Sequence, residues 1–344
     1  MKNYTPSLQG RAVLMISDFV DEGYDADDLK KEKMFLEEVE NELKKHGIGF
    51  SFFEFKTLEE LDVQLKKFER DRTVIFNWAE EIYGKPNTGA EITKYLDKNG
   101  WIYSGARTDN LILANDRGLV NKLLRENNVG VPEEYELGDE DIKFPVIIKA
   151  KYEHGSFGIS KKSILENKEE LEKYKCGIKP EKYLAEQFID GPEYTISVWG
   201  NKNPEVLPIM DIKFESNKHE KHKIISYGSK WDKDDPDFEG VYSGLAGNLG
   251  GERESEIKKM CLKAFKVLGC SGIVRFEIRE DENKEEKNER VVDEKKQSGG
   301  GLYIIDFNPN PNFAIDSAFM KSAREKGLNY GQVVLRLCEF SLES

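Results

Sequence analysis

Short apolar runs alternate with amphipathic stretches through the first hundred residues. "AVLMIS" (12–17), "FSFFEF" (50–55) and "TVIFNW" (73–78) have the length and composition of strands. Between the first two lies "KEKMFLEEVENELKKHG", where Phe35, Val39 and Leu43 recur at helical spacing and Gly47 supplies the stop. "LEELDVQLKKFE" and "GAEITKYLDKNG" repeat the helical pattern after the second and third strands. An alternation of this kind predicts an open parallel sheet with helices on both faces.

From about residue 105 the pattern changes. A helix is expected around 115–127, then a strand in "FPVIIKAKY" (144–152), a helix in "ENKEELEKY" and a strand in "YLAEQFI" (183–189). The remainder is rich in strands: "EYTISVWG", "EVLPIMDIKF", "GIVRFEIRE" and "GLYIIDFN", with one helix at 252–268. Residues 280–300 are highly charged and end in glycines; they read as an exposed, mobile hairpin extension without chemistry of its own. A chain of 344 residues exceeds one ordinary core, so two or three domains are expected.

Composition narrows the partners. A formal charge of −13 argues against nucleic acid and anionic membranes, which select basic surfaces. The four cysteines (Cys176, Cys261, Cys270, Cys338) form no CxxC pair and read as free thiols in a reducing compartment. "MKNYTPSLQG" has no apolar leader core, and no run approaches the roughly 20 apolar residues of a membrane span. A soluble cytoplasmic protein is the expectation.

Two strands carry the first candidate chemistry. In "GIVRFEIRE", Val274, Phe276 and Ile278 point one way and Arg275, Glu277 and Arg279 the other. In "YIIDFNPN", the same period puts Ile305 and Phe307 on one face and Asp306 and Asn308 on the opposite one. The prolines that follow end the strand, because proline donates no backbone N–H. If the two strands are neighbours, Glu277, Asp306 and Asn308 converge beside Arg275. Two carboxylates and an amide oxygen suit a hard divalent cation such as Mg²⁺, and the arginine would hold an anion beside it. A solvated sheet face ending in a turn explains the same letters.

A second constellation lies upstream. "FPVIIKAKYEHGSFGISK" places Lys149 at the end of a strand and Gly155, Ser156 and Gly158 in the loop after it. Such a loop can fold backbone N–H groups over phosphates while the lysine supplies charge, although a hairpin turn accounts for the glycines as well. "YLAEQFIDGPEYTISV" sets Glu186 in a strand and Glu193 just after a "DGPE" turn. Acids there could bind a ribose or an exocyclic amine, or sit at a surface hairpin.

The order of these segments resembles the ATP-grasp superfamily and, within it, the D-alanine–D-alanine ligase branch, over about residues 102–340. The resemblance implies an α/β (overall α+β) ATP-grasp fold of three domains: an N-terminal parallel-sheet domain (1–104), a central lid domain (105–189) and a C-terminal domain (190–344). It implies ATP and Mg²⁺, or Mn²⁺ in its place, small carboxylate and amine substrates, and a homodimer. By position, Arg117 and Lys149 match residues that touch ATP phosphates, and Gly155, Ser156 and Gly158 the loop that closes over them. Glu186, Gln187, Phe188 and Ile189 correspond to the adenine-binding strand, with Phe188 packing on the base, and Glu193 to the ribose-binding acid. Tyr227 and Lys230 fit a mobile segment whose lysine reaches the terminal phosphates. Arg275 matches the arginine that steadies the acyl phosphate, Ser317 a serine that binds the acceptor carboxylate, and Glu277, Asp306 and Asn308 the magnesium ligands.

The chain also departs from that pattern. The Gly-rich segment after the third strand becomes "FNWAEEIYGKPNTGAE" (76–91), without histidine. For the early acid that holds the first amino group, "SDFVDEG" offers Asp18, Asp21 and Glu22. A Ser-Pro-Gly turn becomes Asn310-Pro311-Asn312, so Asn312 takes a position whose N–H would line the oxyanion pocket. The leading expectation is an ATP-dependent carboxylate–amine ligase acting through an acyl phosphate. Two alternatives stand beside it: true D-alanine–D-alanine ligation, and a nucleotide-binding regulator without turnover.

Overall fold

The computed structural model describes residues 6–18, 26–153, 155–216, 219–281 and 301–343. Most of the charged stretch (282–300), together with Asp21 and Glu22, lies outside the described residues. Three sheets organise the chain.

The first sheet is parallel, in the order β2-β1-β3-β4. It runs through β1 (Ala12–Asp18), α1 (Ala26–Lys45), β2 (Gly49–Phe55), α2 (Leu58–Leu65), β3 (Thr73–Asn77), α3 (Gly89–Lys98) and β4 (Ile102–Tyr103). Its strands are apolar because both faces are covered. Leu14, Ile16 and Ile75 pack on Leu61, Leu65, Ile92 and Leu96 of α2 and α3. On the other face, Val13, Met15, Val74 and Phe76 meet Phe35, Val39 and Leu43 of α1.

Two further helices, α4 (Thr108–Ala114) and α5 (Arg117–Glu126), lead into the second sheet. That sheet is antiparallel, in the order β5-β8-β6-β7. It contains β5 (Glu134–Tyr135), β6 (Val146–Ala150), β7 (Ile164–Leu165), α6 (Lys168–Lys175) and β8 (Tyr183–Gln187). Asp116 caps α5 by accepting from the Leu119 N–H, which fixes where Arg117 leaves the helix start.

The third sheet runs β12-β11-β9-β13-β14, with β10 paired to β9. Its strands are β9 (Glu193–Gly200), β10 (Glu205–Val206), β11 (Met210–Phe214), β12 (Val241–Leu245), β13 (Gly272–Glu280) and β14 (Leu302–Asn308). The single strand expected over "EVLPIMDIKF" is thus two, divided at Leu207–Ile209. Helix α7 (Tyr227–Trp231) precedes β12, and α8 (Gly251–Val267) packs Ile257, Cys261, Ala264 and Phe265 under Val274, Phe276 and Ile278. Two helices absent from the sequence expectations close the chain, α9 (Ala318–Glu325) and α10 (Tyr330–Ser341). Helix α10 returns to the first sheet, where Val333, Val334 and Leu337 join the core with α1. Its start was legible in "NYGQ", where Asn329 and Gln332 form a capping box.

One close approach ties the connection between α5 and β5 to the third sheet. A Cβ on Gly130 would stand 2.3 Å from the Leu302 carbonyl oxygen, and the Ile304 N–H donates to the Gly130 carbonyl at 2.8 Å. Only glycine lets this segment lie against β14 and hold it in register.

Candidate active site

Strands β13 and β14 pair antiparallel, with Arg275 opposite Asn308 and Glu277 opposite Asp306. The neighbourhood that the alternation required therefore forms. A bulge beyond Glu277 brings Ile278 opposite Ile304. It corrects one expectation, because Ile305 and Phe307 do not share a face. Ile304 and Phe307 enter the core, while Ile305 turns with Asp306 into a cleft. The Arg275 Nε lies 2.8 Å from Glu277 Oε1, and Thr195 on β9 donates to Glu277 Oε2 at 2.6 Å. Burial raises the Glu277 carboxyl above its ordinary value, with Arg275 opposing. A carboxylate so desolvated is one that a divalent cation would hold ionised. Among the described residues no three acidic, imidazole or thiol groups converge on one point. A metal here would rely on Glu277, Asp306 and the Asn308 amide, completed by ligand oxygens.

The cleft lies between the second and third sheets and opens to solvent. Its charged end gathers Arg117, Lys149, Lys230, Glu277 and Asp306. Arg117 Nη1 reaches Asp306 Oδ1 at 2.8 Å, and Nη2 donates to the Glu153 carbonyl at 3.3 Å. Lys149 is buried with its Nζ 2.5 Å from Glu186 Oε2 and donates to the Ile305 carbonyl at 3.2 Å. Four of these groups thus connect α5, β6, β8 and β14 across the two sheets.

The other end is apolar. Pro132, Ile147, Ile159, Ile224 and Ile225 line it with Gln187, Phe188 and Ile189. The Gln187 N–H donates to Glu133 O at 2.8 Å and the Phe188 N–H to Pro145 O at 3.0 Å, which holds this strand end in place. Glu193 is paired with Arg279, whose guanidinium also lies 5.2 Å from the Phe188 ring centre. An apolar slot with cations and carboxylates at one end suits a flat base at one end and phosphates at the other.

Two segments border the mouth. Gly155, Ser156 and Gly158 all adopt positive φ (66°, 64° and 69°). Ser156 is a non-glycine residue in that region and also lines the cleft. The loop interlocks with α7. Trp231 Nε1 donates to the Gly155 carbonyl at 3.0 Å, the Tyr227 N–H donates to Ile159 O at 2.9 Å, and the Phe157 and Tyr227 rings meet edge to face at 6.0 Å. Tyr227 is itself exposed, and Lys230 turns inward to the cleft.

The charge of Arg275 also reaches Glu80, just beyond the carboxyl end of β3. Asp18, at the end of β1, accepts from the Glu80 N–H at 3.1 Å. Glu80 is exposed at the surface, yet crowding around its carboxyl, followed by the charges of Asp18 and Glu81, raises it to about 7, with Arg275 opposing. The consequence for stability has a definite sign. The unfolded chain releases this proton near the ordinary value of 4.5, whereas the fold keeps it until about 7. Between these values the folded state binds more protons, so stability falls as pH rises through that window. Glu80→Gln should therefore gain in urea midpoint over the parent from pH 4.5 to 7 and hold a constant advantage above. A pH-independent difference would contradict this.

Some sequence candidates stand elsewhere. Ser317 caps α9 by accepting from the Met320 N–H at 3.2 Å. The Asn308 amide oxygen accepts from the Asn310 N–H at 2.8 Å, so it faces the turn in this state. Within 76–91, the connection between β3 and α3 is held by Thr88, whose Oγ1 accepts from the Ile82 N–H and donates to Lys85 O. Sequence reasoning gave no role to Thr195, Arg279 or Glu80. Arg279 could have been found from its place on the same strand face as Arg275 and Glu277.

Comparison with known proteins fits this geometry. The family model described as "D-ala D-ala ligase C-terminus" matches residues 121–339. A D-alanine–D-alanine ligase of Desulforudis audaxviator is 26% identical over 281 residues, covering 76% of this chain and 80% of the relative. That of Natranaerobius thermophilus is 26% identical over 336 residues, covering 89% and 80%. Among solved structures, the Bacillus anthracis D-alanine–D-alanine ligase complexed with ATP superposes with a TM-score of 0.67 at 18% identity, over 97% of each chain. A D-Ala:D-Ser ligase of Enterococcus faecalis gives 0.65 at 16%, over 96% of this chain and 99% of the other. With well over half of the sequence under one family model and the whole architecture shared, the chain belongs to the D-alanine–D-alanine ligase family and has the ATP-grasp fold.

Proposed function

We propose that the protein activates a small carboxylate as its acyl phosphate with ATP and joins it to an amine, in the cleft between the second and third sheets. One observation carries this reading. Glu277 and Asp306, opposite each other on two paired strands, line the charged end of an apolar slot that also holds Lys149 and Lys230, and Arg275 lies beside Glu277. Binding a nucleotide needs the slot, but an arginine beside two acids at its phosphate end suits transfer.

In this reading Lys149, Lys230 and Arg117 neutralise the phosphates, and the Gly155–Gly158 loop with α7 excludes water. Gln187, Phe188 and Ile189 bind the base and Glu193 the ribose. Mg²⁺ held by Glu277, Asp306 and Asn308 would offset charge developing between the β- and γ-phosphates. Arg275 then stabilises the acyl phosphate and the oxyanion formed as the amine attacks. Asp18 and Glu80, hydrogen-bonded to each other at the edge of the first sheet with Glu80 within reach of the Arg275 charge, favour an acid that itself carries an amino group. We divide the chain into 1–104, 105–189 and 190–344, a division supported by the separate sheets, with α10 packed back on the first.

The experiment is ADP and phosphate release with magnesium across a panel of amino acids and amines, D-alanine and D-serine included, with products identified by mass. Release dependent on one acid–amine pair is expected. D-alanyl-D-alanine as the sole product would select the standard ligase reading. ATP binding without release on any pair would favour a regulator and sink the enzyme reading.

A further inference from the structure

We infer that Arg279 is a positioning residue for the nucleotide, orienting Glu193 toward the ribose and fixing the wall on which the base rests. The inference rests on the nucleotide reading of the cleft.

Arg279 is 4% exposed, yet it borders the cleft. Its Nε donates to Glu193 Oε2 at 2.8 Å, and Nη2 lies 2.7 Å from the same oxygen. Nη1 donates to the Ile189 carbonyl at 3.0 Å, and Nη2 also reaches the Lys223 carbonyl. One planar group thus joins β13, β9, the end of the base-binding strand and the segment leading to α7. No lysine could do this, because an ammonium has no fixed fork. The guanidinium also lies against Phe188, whose ring meets His222 edge to face at 4.9 Å. Phe188 is held between two polar groups, and its orientation is set from both sides.

The geometry of Glu193 gives the specific consequence. Both guanidinium contacts fall on Oε2, and among the described residues no donor engages Oε1. Oε1 is left for a ligand hydroxyl, with the carboxylate unable to rotate. A buried ion pair adds little stability over apolar residues of equal volume, so its effect here is directional. Removing Arg279 frees Glu193 to turn and leaves its charge without a counter-ion.

The test is equilibrium calorimetry of the full chain with magnesium and ATP, 2′-deoxy-ATP or 3′-deoxy-ATP. The parent should prefer ATP to at least one deoxy analogue by about tenfold, the scale of one buried hydrogen bond. Glu193→Gln should lose most of that preference. Arg279→Met should lose it too and bind ATP at least tenfold more weakly, and Arg279→Lys should not restore it. The double variant Arg279→Met/Glu193→Gln should be no weaker than Arg279→Met, since the two act as one unit. It also supplies the measurement if the single variant fails to fold through its uncompensated carboxylate. An Arg279→Met protein with parental ATP affinity and parental ribose preference overturns this role alone. A parent protein that binds no ATP overturns the nucleotide reading, and this one with it.

Discussion

Asp306→Asn should lose metal-dependent turnover by about a thousandfold, because one metal ion supplies several kcal/mol of transition-state charge stabilisation and about 1.4 kcal/mol is a factor of ten. The substitution keeps the shape and the position opposite Glu277 on β13. It removes the charge that a cation would share with Glu277, and it weakens the 2.8 Å pair with Arg117. Circular dichroism should be unchanged. Paramagnetic resonance of Mn²⁺ with ADP present gives a readout independent of the substrate pair, and Mn²⁺ binding should weaken in the same variant. Near-parental turnover and Mn²⁺ binding together would remove Asp306 from the metal assignment.

The second large effect concerns the buried pair at the charged end of the cleft. Lys149 and Glu186 are buried, with Glu186 only 1% exposed, and their charges lie 2.5 Å apart. Lys149→Met leaves a carboxylate in the interior with no full counter-charge in contact, and Asn121 offers only an amide at 3.4 Å. Breaking such a pair from one side costs about 3–5 kcal/mol. Replacing both members, as Lys149→Met/Glu186→Leu, should recover most of that loss, since apolar residues of similar volume match a buried pair. Denaturant unfolding of the two variants against the parent makes the comparison. A single variant within about 1 kcal/mol of the parent would show that Glu186 finds another partner or a proton at no cost. Both variants should bind ATP poorly, so stability and ligand affinity part company in the double replacement.

The three-sheet architecture was legible in large part. The first three strands and their helices followed from apolar runs and helical spacing, and the pairing of β13 with β14 from a period of two. Local periodicity decides which way a side chain points, so Arg275, Glu277, Asp306 and Asn308 could be placed on one face from the letters alone. The segment order around Lys149, Glu186 and Arg275 then pointed to the family.

What periodicity cannot give is the partner of a face. Helix α10 covers a sheet formed some three hundred residues earlier, because apolar surface is buried wherever the chain returns. Arg117 meets Asp306 across 189 residues, Arg279 meets Glu193 across 86, and Asp18 meets Glu80 across 62. Each contact depends on how sheets and loops approach, which no local spacing encodes. The bulge after Glu277 is a further case, since one unpaired residue moved Ile305 from the core into the cleft. Local spacing was enough for most strands, their alternation and the inventory of chemical groups. Only the tertiary structure decides which charges neutralise one another, which groups line the cleft, and that Arg279 pairs with Glu193 there, because those outcomes depend on distances between segments remote along the chain.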